Sequence, residues 1–233
     1  PGEAMDADIG IAFGKNSGAL FKNGKILKKV SVKNAVKELL ELCAGLKEIH
    51  DEGILYDWHC LTRADRTDPE LFRIMKESGC SQLTYGIETG SQKILDIIEK
   101  QTTVEENLNA IKIAKAAGLK VRAQMIVGLP GETDETVEET ANFIREAPAD
   151  SFGMHIFVPL PGGQIWNDPE RFNFPIDKET TFEYYHTIGK REEVDAAYLH
   201  TNPQQIIKWR QYLLQVIGER DIVKFAEIRA EKV

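Results

Sequence analysis

Four short stretches of this sequence set charged or amide side chains beside glycine, a combination suited to a small polar ligand. They are Thr62-Arg63-Ala64-Asp65; Gly86-Ile87-Glu88-Thr89-Gly90-Ser91; Arg122 and Gln124 ahead of Gly128-Leu129-Pro130-Gly131-Glu132; and Val158-Pro159-Leu160-Pro161-Gly162-Gly163. Arginine holds a carboxylate, while glutamate and glutamine bind hydroxyls and amines. Glycine lets the backbone approach a flat ring or a sugar closely. Each stretch also has a plainer reading. Arg63 can be a solvated loop residue, the glycines turn formers, and Glu132 a partner for the positive end of the next helix. Gln124 resists the plain reading, because an amide within an otherwise apolar strand must find partners. Glu88 between glycines is similarly unlike a surface carboxylate. The five histidines (His50, His59, His155, His186, His200) show no metal-ligand spacing, and His50 and His155 are expected as satisfied core histidines. What carries weight is that four such stretches end four successive strand patterns.

Those patterns require elements to position them. Extended segments are expected at 8–13, 46–50, 54–62, 82–87, 121–127 and 152–158, several apolar on both faces as buried strands are. Between them the helices mark their own ends. Ser31 caps a run with Val32, Val36, Leu39, Leu40 and Cys43 on one face, stopped by Gly45. Asp68-Pro69 pairs an N-cap with proline at the first helical position, ahead of Leu71, Phe72 and Met75, with Gly79 as the stop. Thr103 and Glu106 form a capping box, and Gly118 ends that helix. A further helix runs from about Asp134. Strands and helices alternating at roughly 30–40 residues predict βαβ units and a parallel sheet. No Gly-x-Gly-x-x-Gly follows the first strand, which favours a (β/α) barrel, complete or partial, over a dinucleotide-binding sheet. In a parallel barrel the strand C-termini share one rim, where ligands bind. Beyond Pro161 the order loosens. Trp166, Phe172, Tyr184 and Tyr185 there serve equally as pocket or core, and Asn202-Pro203 opens a helical tail, with a last helix from Asp221. Trp209 is expected in the core with Leu213 and Val216.

Composition excludes other classes. The 233 residues are 42% hydrophobic and 28% charged, which is globular rather than disordered or collagen-like. A net charge of −8 with no basic block beyond the Lys25–Lys33 stretch gives no sign of nucleic-acid binding. No apolar run reaches the ~18 residues of a membrane span, and the first ten residues lack the regions of a signal peptide. Three scattered cysteines, Cys43, Cys60 and Cys80, form neither a disulfide framework nor a C-x-x-C pair, so a reducing cytoplasm is expected.

The run TYGIETGSQKILDIIEKQTTVEENLNAIKIAKAAGLKVRAQMIVGLPGETDETVEETANFI closely resembles the second half of the radical S-adenosylmethionine (SAM) core. It is most similar to the branch whose members often carry a cobalamin-binding domain. WHCLTRAD before it and FVPLPGG after it fit the same pattern, and the resemblance extends over about residues 28 to 163. It implies an α/β fold, a partial (β/α)6 TIM-like barrel over 17–163 with a mostly helical extension over 164–233, residues 1–16 being linker and first barrel strand. It further implies a [4Fe–4S] cluster and reductive cleavage of SAM to a 5′-deoxyadenosyl radical. An electron donor such as flavodoxin or ferredoxin and a small-molecule or peptide substrate follow from the same resemblance. Residue by residue, Glu88 and Arg63 would contact the ribose or methionine end of SAM, and Lys100 would lie near the methionine carboxylate. Gln124 would meet the ribose hydroxyls, and Ile126 with Val158 would pack on the adenine.

The sequence departs from the family in one respect that bears on all of this. The family's C-x3-C-x2-C loop should follow the first strand, and no such motif is present; Asn16-Ser17 stands where it belongs. A second shortening falls at His50-Asp51, where too few residues separate two extended segments for a crossover, which needs about a dozen. The expectation is that the encoded protein holds further segments at both junctions; an intact mass of 26.2 kDa would refute it. Three readings follow. The first is a radical SAM enzyme of the cobalamin-associated branch, transferring methyl to an unactivated carbon or else forming rings or rearranging its substrate. The second is a non-catalytic, cluster-less barrel acting as a binding or scaffold module. The third is a metal-independent barrel enzyme with Glu88 as acid/base, for which the sequence offers no partner base.

Overall fold

The computed structural model describes residues 9–13, 17–22, 25–31, 57–187 and 192–230, with single residues at 41, 45, 51 and 53. The strand expected at 46–50, the body of the helix capped by Ser31, Asn16 and Cys43 lie outside the described residues. The chain divides into two compact units, Pro1–Trp58 with Asp68–Ser81, and His59–Thr67 with Gln82–Val233.

In the first unit, β1 (Ile9–Phe13), β2 (Ser17–Lys22) and β3 (Lys25–Ser31) form an antiparallel sheet in that order. Ile9 is opposite Lys22 and Phe13 opposite Gly18, while Lys22 faces Lys25. This corrects the expectation that 8–13 is the first parallel barrel strand. Three residues separate β1 from β2 and two separate β2 from β3, and connections this short join only antiparallel neighbours. The dipeptide Asn23-Gly24 is itself a strong hairpin signal. Helix α1 (Pro69–Glu77) forms as its caps dictate: Asp68 Oδ1 accepts from the N–H groups of Glu70 (3.0 Å) and Leu71 (3.1 Å). It buries Leu71, Phe72 and Met75 and gives way at Gly79, whose φ of +91° suits glycine.

The parallel sheet follows the order β4 (Trp58–Thr62), β5 (Cys80–Glu88), β6 (Lys120–Val127), β7 (Ser151–Ile156). The pairs β5–β6 and β6–β7 are parallel, with Gly86 beside Gln124 and Gln124 beside Gly153. Helices α2 (Gln92–Ile97) and α3 (Val104–Ala116) connect β5 to β6, and α4 (Asp134–Glu146) connects β6 to β7. This is the α/β, partial-barrel arrangement the alternation predicts. The Thr103–Glu106 capping box is present, and a second joins Thr133 to Thr136. Alternate residues Tyr85, Ile87, Val121, Ala123, Met125 and Val127 are fully buried. Their neighbours Arg122, Gln124 and Ile126 are not, so β6 is fully buried on one face only.

The extension comprises α5 (Gln164–Asn167), α6 (Lys178–Thr187), a 3-10 turn (Glu193–Leu199) and α7 (Pro203–Ala230). The tail is one 28-residue helix rather than two, continuous through Gly218. It packs on α4 and β7 with Ile206, Leu213, Val216 and Ile217 inward. Trp209 is half-buried, its indole N–H donating to Asp134 Oδ1 at 2.6 Å. Among the described residues no helix is long and apolar enough to cross a membrane.

Candidate functional site

The rim beyond β5 is built around a bulge. The β5–β6 register slips between Gly86 and Glu88, which re-aims the strand end. Glu88 sits at φ +70°, a left-handed conformation that costs a non-glycine residue on the order of 1–3 kcal/mol and persists only where its surroundings enforce it. The enforcement is visible. Thr89 Oγ1 lies 3.0 Å from Thr140 Oγ1, the Gly90 N–H donates to Thr140 Oγ1 at 3.0 Å, and the Ser91 N–H donates to Thr89 Oγ1 at 3.1 Å. A Cβ on Gly90 would fall 2.5 Å from Phe143 Cβ, so only glycine lets the rim lie this close to α4.

Held this way, Glu88 is ion-paired with Lys100, both side chains more than four-fifths buried. A Cβ on Gly86 would stand 2.8 Å from Glu88 Oε1 and 3.5 Å from Lys100 Nζ, so the pair occupies the space this glycine leaves. Lys100 is itself flanked by two left-handed residues, Glu99 (φ +53°) and Gln101 (φ +57°). Arg63, from the rim of β4, donates through Nη2 to the Lys100 carbonyl at 2.7 Å and through Nε to Asp65 at 2.9 Å. Arg63, Glu88 and Lys100 are therefore one connected group.

The second group lies on the open face of β6 and β7. Gln124 Oε1 is 3.1 Å from His155 Nε2, which gives the amide its partner. Gly153 makes this possible: a Cβ there would be 1.9 Å from Gln124 Oε1. Ile126 and Val158 line one open cavity of about 610 Å³ with His155, Trp166, Tyr184 and Tyr185. The Tyr185 hydroxyl fixes the far wall by donating to the Val158 carbonyl at 3.1 Å. Phe172 is apart from these, lining a separate cavity with Ile97 and Gly131. Because Gly86 and Gln124 are register partners, the two groups adjoin across the strands.

Three residues here go beyond the sequence reading. His155 is exposed on the open face and lines the cavity, rather than being a core histidine. The period-two pattern of β7, with Met154 and Ile156 buried, is the signal that puts it beside Gly153. His200 accompanies Gly128, at φ +89°, where a Cβ would come within 2.7 Å of the ring; its Nε2 is 2.8 Å from the Phe157 carbonyl oxygen. Burial lowers the pKa of His200, opposed by that hydrogen bond, so the neutral ring is favoured. Glu132 does not serve the next helix; its carboxyl accepts from the N–H groups of Gly128 (2.5 Å) and Leu129 (3.2 Å), closing the turn after β6. Removal from water pushes its pKa up to about 8, against the lowering effect of those two bonds.

The open face presents Glu88, Lys100 and Gln124, seated over Gly86 and Gly153, with the apolar wall of Ile126 and Val158 next along the strands, a combination that suits a small polar ligand. Metal ligation is a different matter. Among the described residues no three His, Cys, Asp or Glu side chains are arranged to hold a metal ion. Cys80 is buried and Cys60 half-buried on separate strands. The described residues therefore do not fit an iron–sulfur cluster, which takes several thiolates.

A family model described as the Radical SAM superfamily matches residues 26–144, just over half of the chain. An uncharacterized methyltransferase of Pyrococcus horikoshii is 35% identical over 118 residues, 51% of this chain and 26% of that protein. The anaerobic magnesium-protoporphyrin IX monomethyl ester cyclase of Rubrivivax gelatinosus is 31% identical over 153 residues, 61% of this chain and 27% of that protein. The chain thus spans about a quarter of the length of these curated relatives. Among solved structures, the radical SAM methyltransferase TsrM from Kitasatospora setae, with cobalamin and a [4Fe–4S] cluster bound, gives a TM-score of 0.44 at 19% identity, covering 53% of this chain and 24% of that one.

Proposed function

The chain belongs to the radical SAM superfamily of enzymes, and on that footing we propose that its open sheet face binds SAM as part of a cobalamin-dependent methyltransferase acting on an unactivated carbon. The observation carrying the SAM reading is the adjacency of two groups: the Arg63–Lys100–Glu88 cluster, and Gln124 beside the cavity of Ile126 and Val158. In this reading Ile126 and Val158 flank the adenine, and Gln124 binds the ribose hydroxyls. Glu88 and Lys100 face the amino and carboxylate groups of the methionine end, exchanging part of their mutual pairing for the ligand's charges. Arg63 holds the Lys100 backbone in place. The apolar wall excludes water around the adenosyl group. SAM, when bound, supplies the activated sulfonium from which the chemistry proceeds.

The methyltransferase assignment draws support from the name of the Pyrococcus relative, and the cobalamin assignment from the resemblance of the GIETGS to PLPGG run. A ring-forming reaction is the second reading, favoured by the Rubrivivax cyclase. A reducing, cytoplasmic setting and a reduced flavodoxin or ferredoxin as electron donor belong to the same proposal. The thiolates of the iron–sulfur cluster would have to come from further segments of the encoded protein near Asn16 and Ser17.

Anaerobic iron and sulfide analysis of the full encoded protein, together with equilibrium dialysis against SAM, tests the reading. About four irons per chain with saturable SAM binding supports it. SAM binding without iron leaves a cluster-less binding module and removes the catalytic assignment. Neither iron nor SAM overturns the whole.

A further inference from the structure

Gln124 lies where its amide could present either its oxygen or its nitrogen to a ligand, and the two ends are nearly identical in shape. The terminal torsion of glutamine is broad and roughly two-fold, so the side chain by itself does not choose. In this protein an imidazole faces the carboxamide. Gln124 Oε1 accepts only, so the 3.1 Å contact is a hydrogen bond in the tautomer in which the facing His155 carries its proton on Nε2 and donates. In that tautomer the oxygen is committed to the histidine and the amide N–H groups are turned from it. Gly153, the register partner of Gln124, supplies the space, since a Cβ would stand 1.9 Å from Oε1. His155 is also in register with Ile126, and both line the same cavity.

We propose that His155 carries its proton on Nε2 and is a positioning residue that fixes Gln124 as a hydrogen-bond donor, making the site selective for a ligand with sugar hydroxyl oxygens at that point. Gly153 is the second part of the device: it allows the carboxamide to lie flat against β7 within reach of the imidazole. The inference rests on the SAM reading above. It adds what that reading lacks, namely which end of Gln124 meets the ribose and which residue decides it. His155 acts through Gln124 and takes no part in bond making.

The test is SAM affinity, measured by equilibrium dialysis with the unsubstituted protein, His155→Leu and His155→Gln. Each is compared with the SAM analogue lacking both ribose hydroxyls. His155→Leu should weaken SAM binding roughly tenfold, the scale of one hydrogen bond. It should leave analogue binding within about twofold, because the analogue offers nothing for Gln124 to bind. His155→Gln restores a donor at the reach of Nε2 and should recover most of the lost affinity. Equal losses for SAM and the analogue would make His155 merely structural and overturn the inference. So would unchanged SAM binding in His155→Leu, while leaving the SAM reading intact. No SAM binding by the unsubstituted protein would overturn both.

Discussion

The two faces of the parallel sheet use the same strands for opposite ends. On the covered face Tyr85, Ile87, Val121, Ala123, Met125 and Val127 are withdrawn from water. On the open face Gly86, Arg122, Gln124, Gly153 and His155 alternate with them, polar or without side chains. A pleated strand sends successive residues to opposite sides, so a single residue separates a buried position from an open one. The covered face supplies stability through buried area. The open face leaves that contribution unused and gains room, hydrogen-bonding groups and a conformationally costly glutamate at φ +70°. Substitutions on the two faces should therefore separate stability from binding.

The largest effect is expected on the covered face. Met125→Ala removes a fully buried side chain and should cost about 2–5 kcal/mol in denaturant unfolding. SAM affinity per folded molecule should change little; a matching loss of affinity would mean that the faces are not independent. Next in size is Gly153→Ala on the open face. It should weaken SAM binding by roughly tenfold or more, since the new methyl displaces the Gln124 carboxamide, at a stability change within about 1 kcal/mol. A large drop in unfolding free energy instead would place Gly153 on the packing side.

Glu132 sharpens the contrast through pH. Its folded-state carboxyl keeps its proton up to about 8, whereas an unfolded glutamate releases it near 4.5. The folded state thus binds more protons between those values, and stability should fall as pH rises through that window. The contribution is complete below about 4.5 and gone above about 8. Glu132→Gln should flatten this slope in unfolding curves taken from pH 4 to 9, and an unaltered slope would point to another group. The smallest effect belongs to Thr103→Ala, which breaks one capping box away from both faces. It should cost about 1 kcal/mol in thermal or denaturant unfolding, with SAM binding unchanged.

Much of this is legible in the sequence because it is local. Asp68-Pro69, Thr103 with Glu106, Gly79 and Gly118 each fix a helix end through contacts within a few residues, and each appears as expected. The placement of Arg63 and Glu88 at strand ends is legible because the extended patterns themselves stop there. What the sequence conceals depends on register. Whether His155 faces core or cavity turns on one residue of pleat, and its partnership with Gln124 spans two strands. The antiparallel sheet of β1 to β3 is a separate case. Asn23-Gly24 marks its second turn, but the alternation further along makes any early extended segment look like a barrel strand. The single helix α7 runs through Gly218, a residue whose helix-breaking cost of about 1 kcal/mol is outweighed by Leu213, Val216 and Ile217 packing inward.

The hydrogen bond from the Trp209 indole to Asp134 has a practical consequence. Asp134 is the first residue of the helix that follows the Gly128–Glu132 turn, and Trp209 reaches it from the C-terminal helix. An indole donating to a carboxylate at 2.6 Å while half-buried emits differently from one released to solvent. With Trp58 and Trp166 replaced by phenylalanine, the remaining tryptophan is a native optical probe of the seating of α7 beside that turn, readable in real time and without a label.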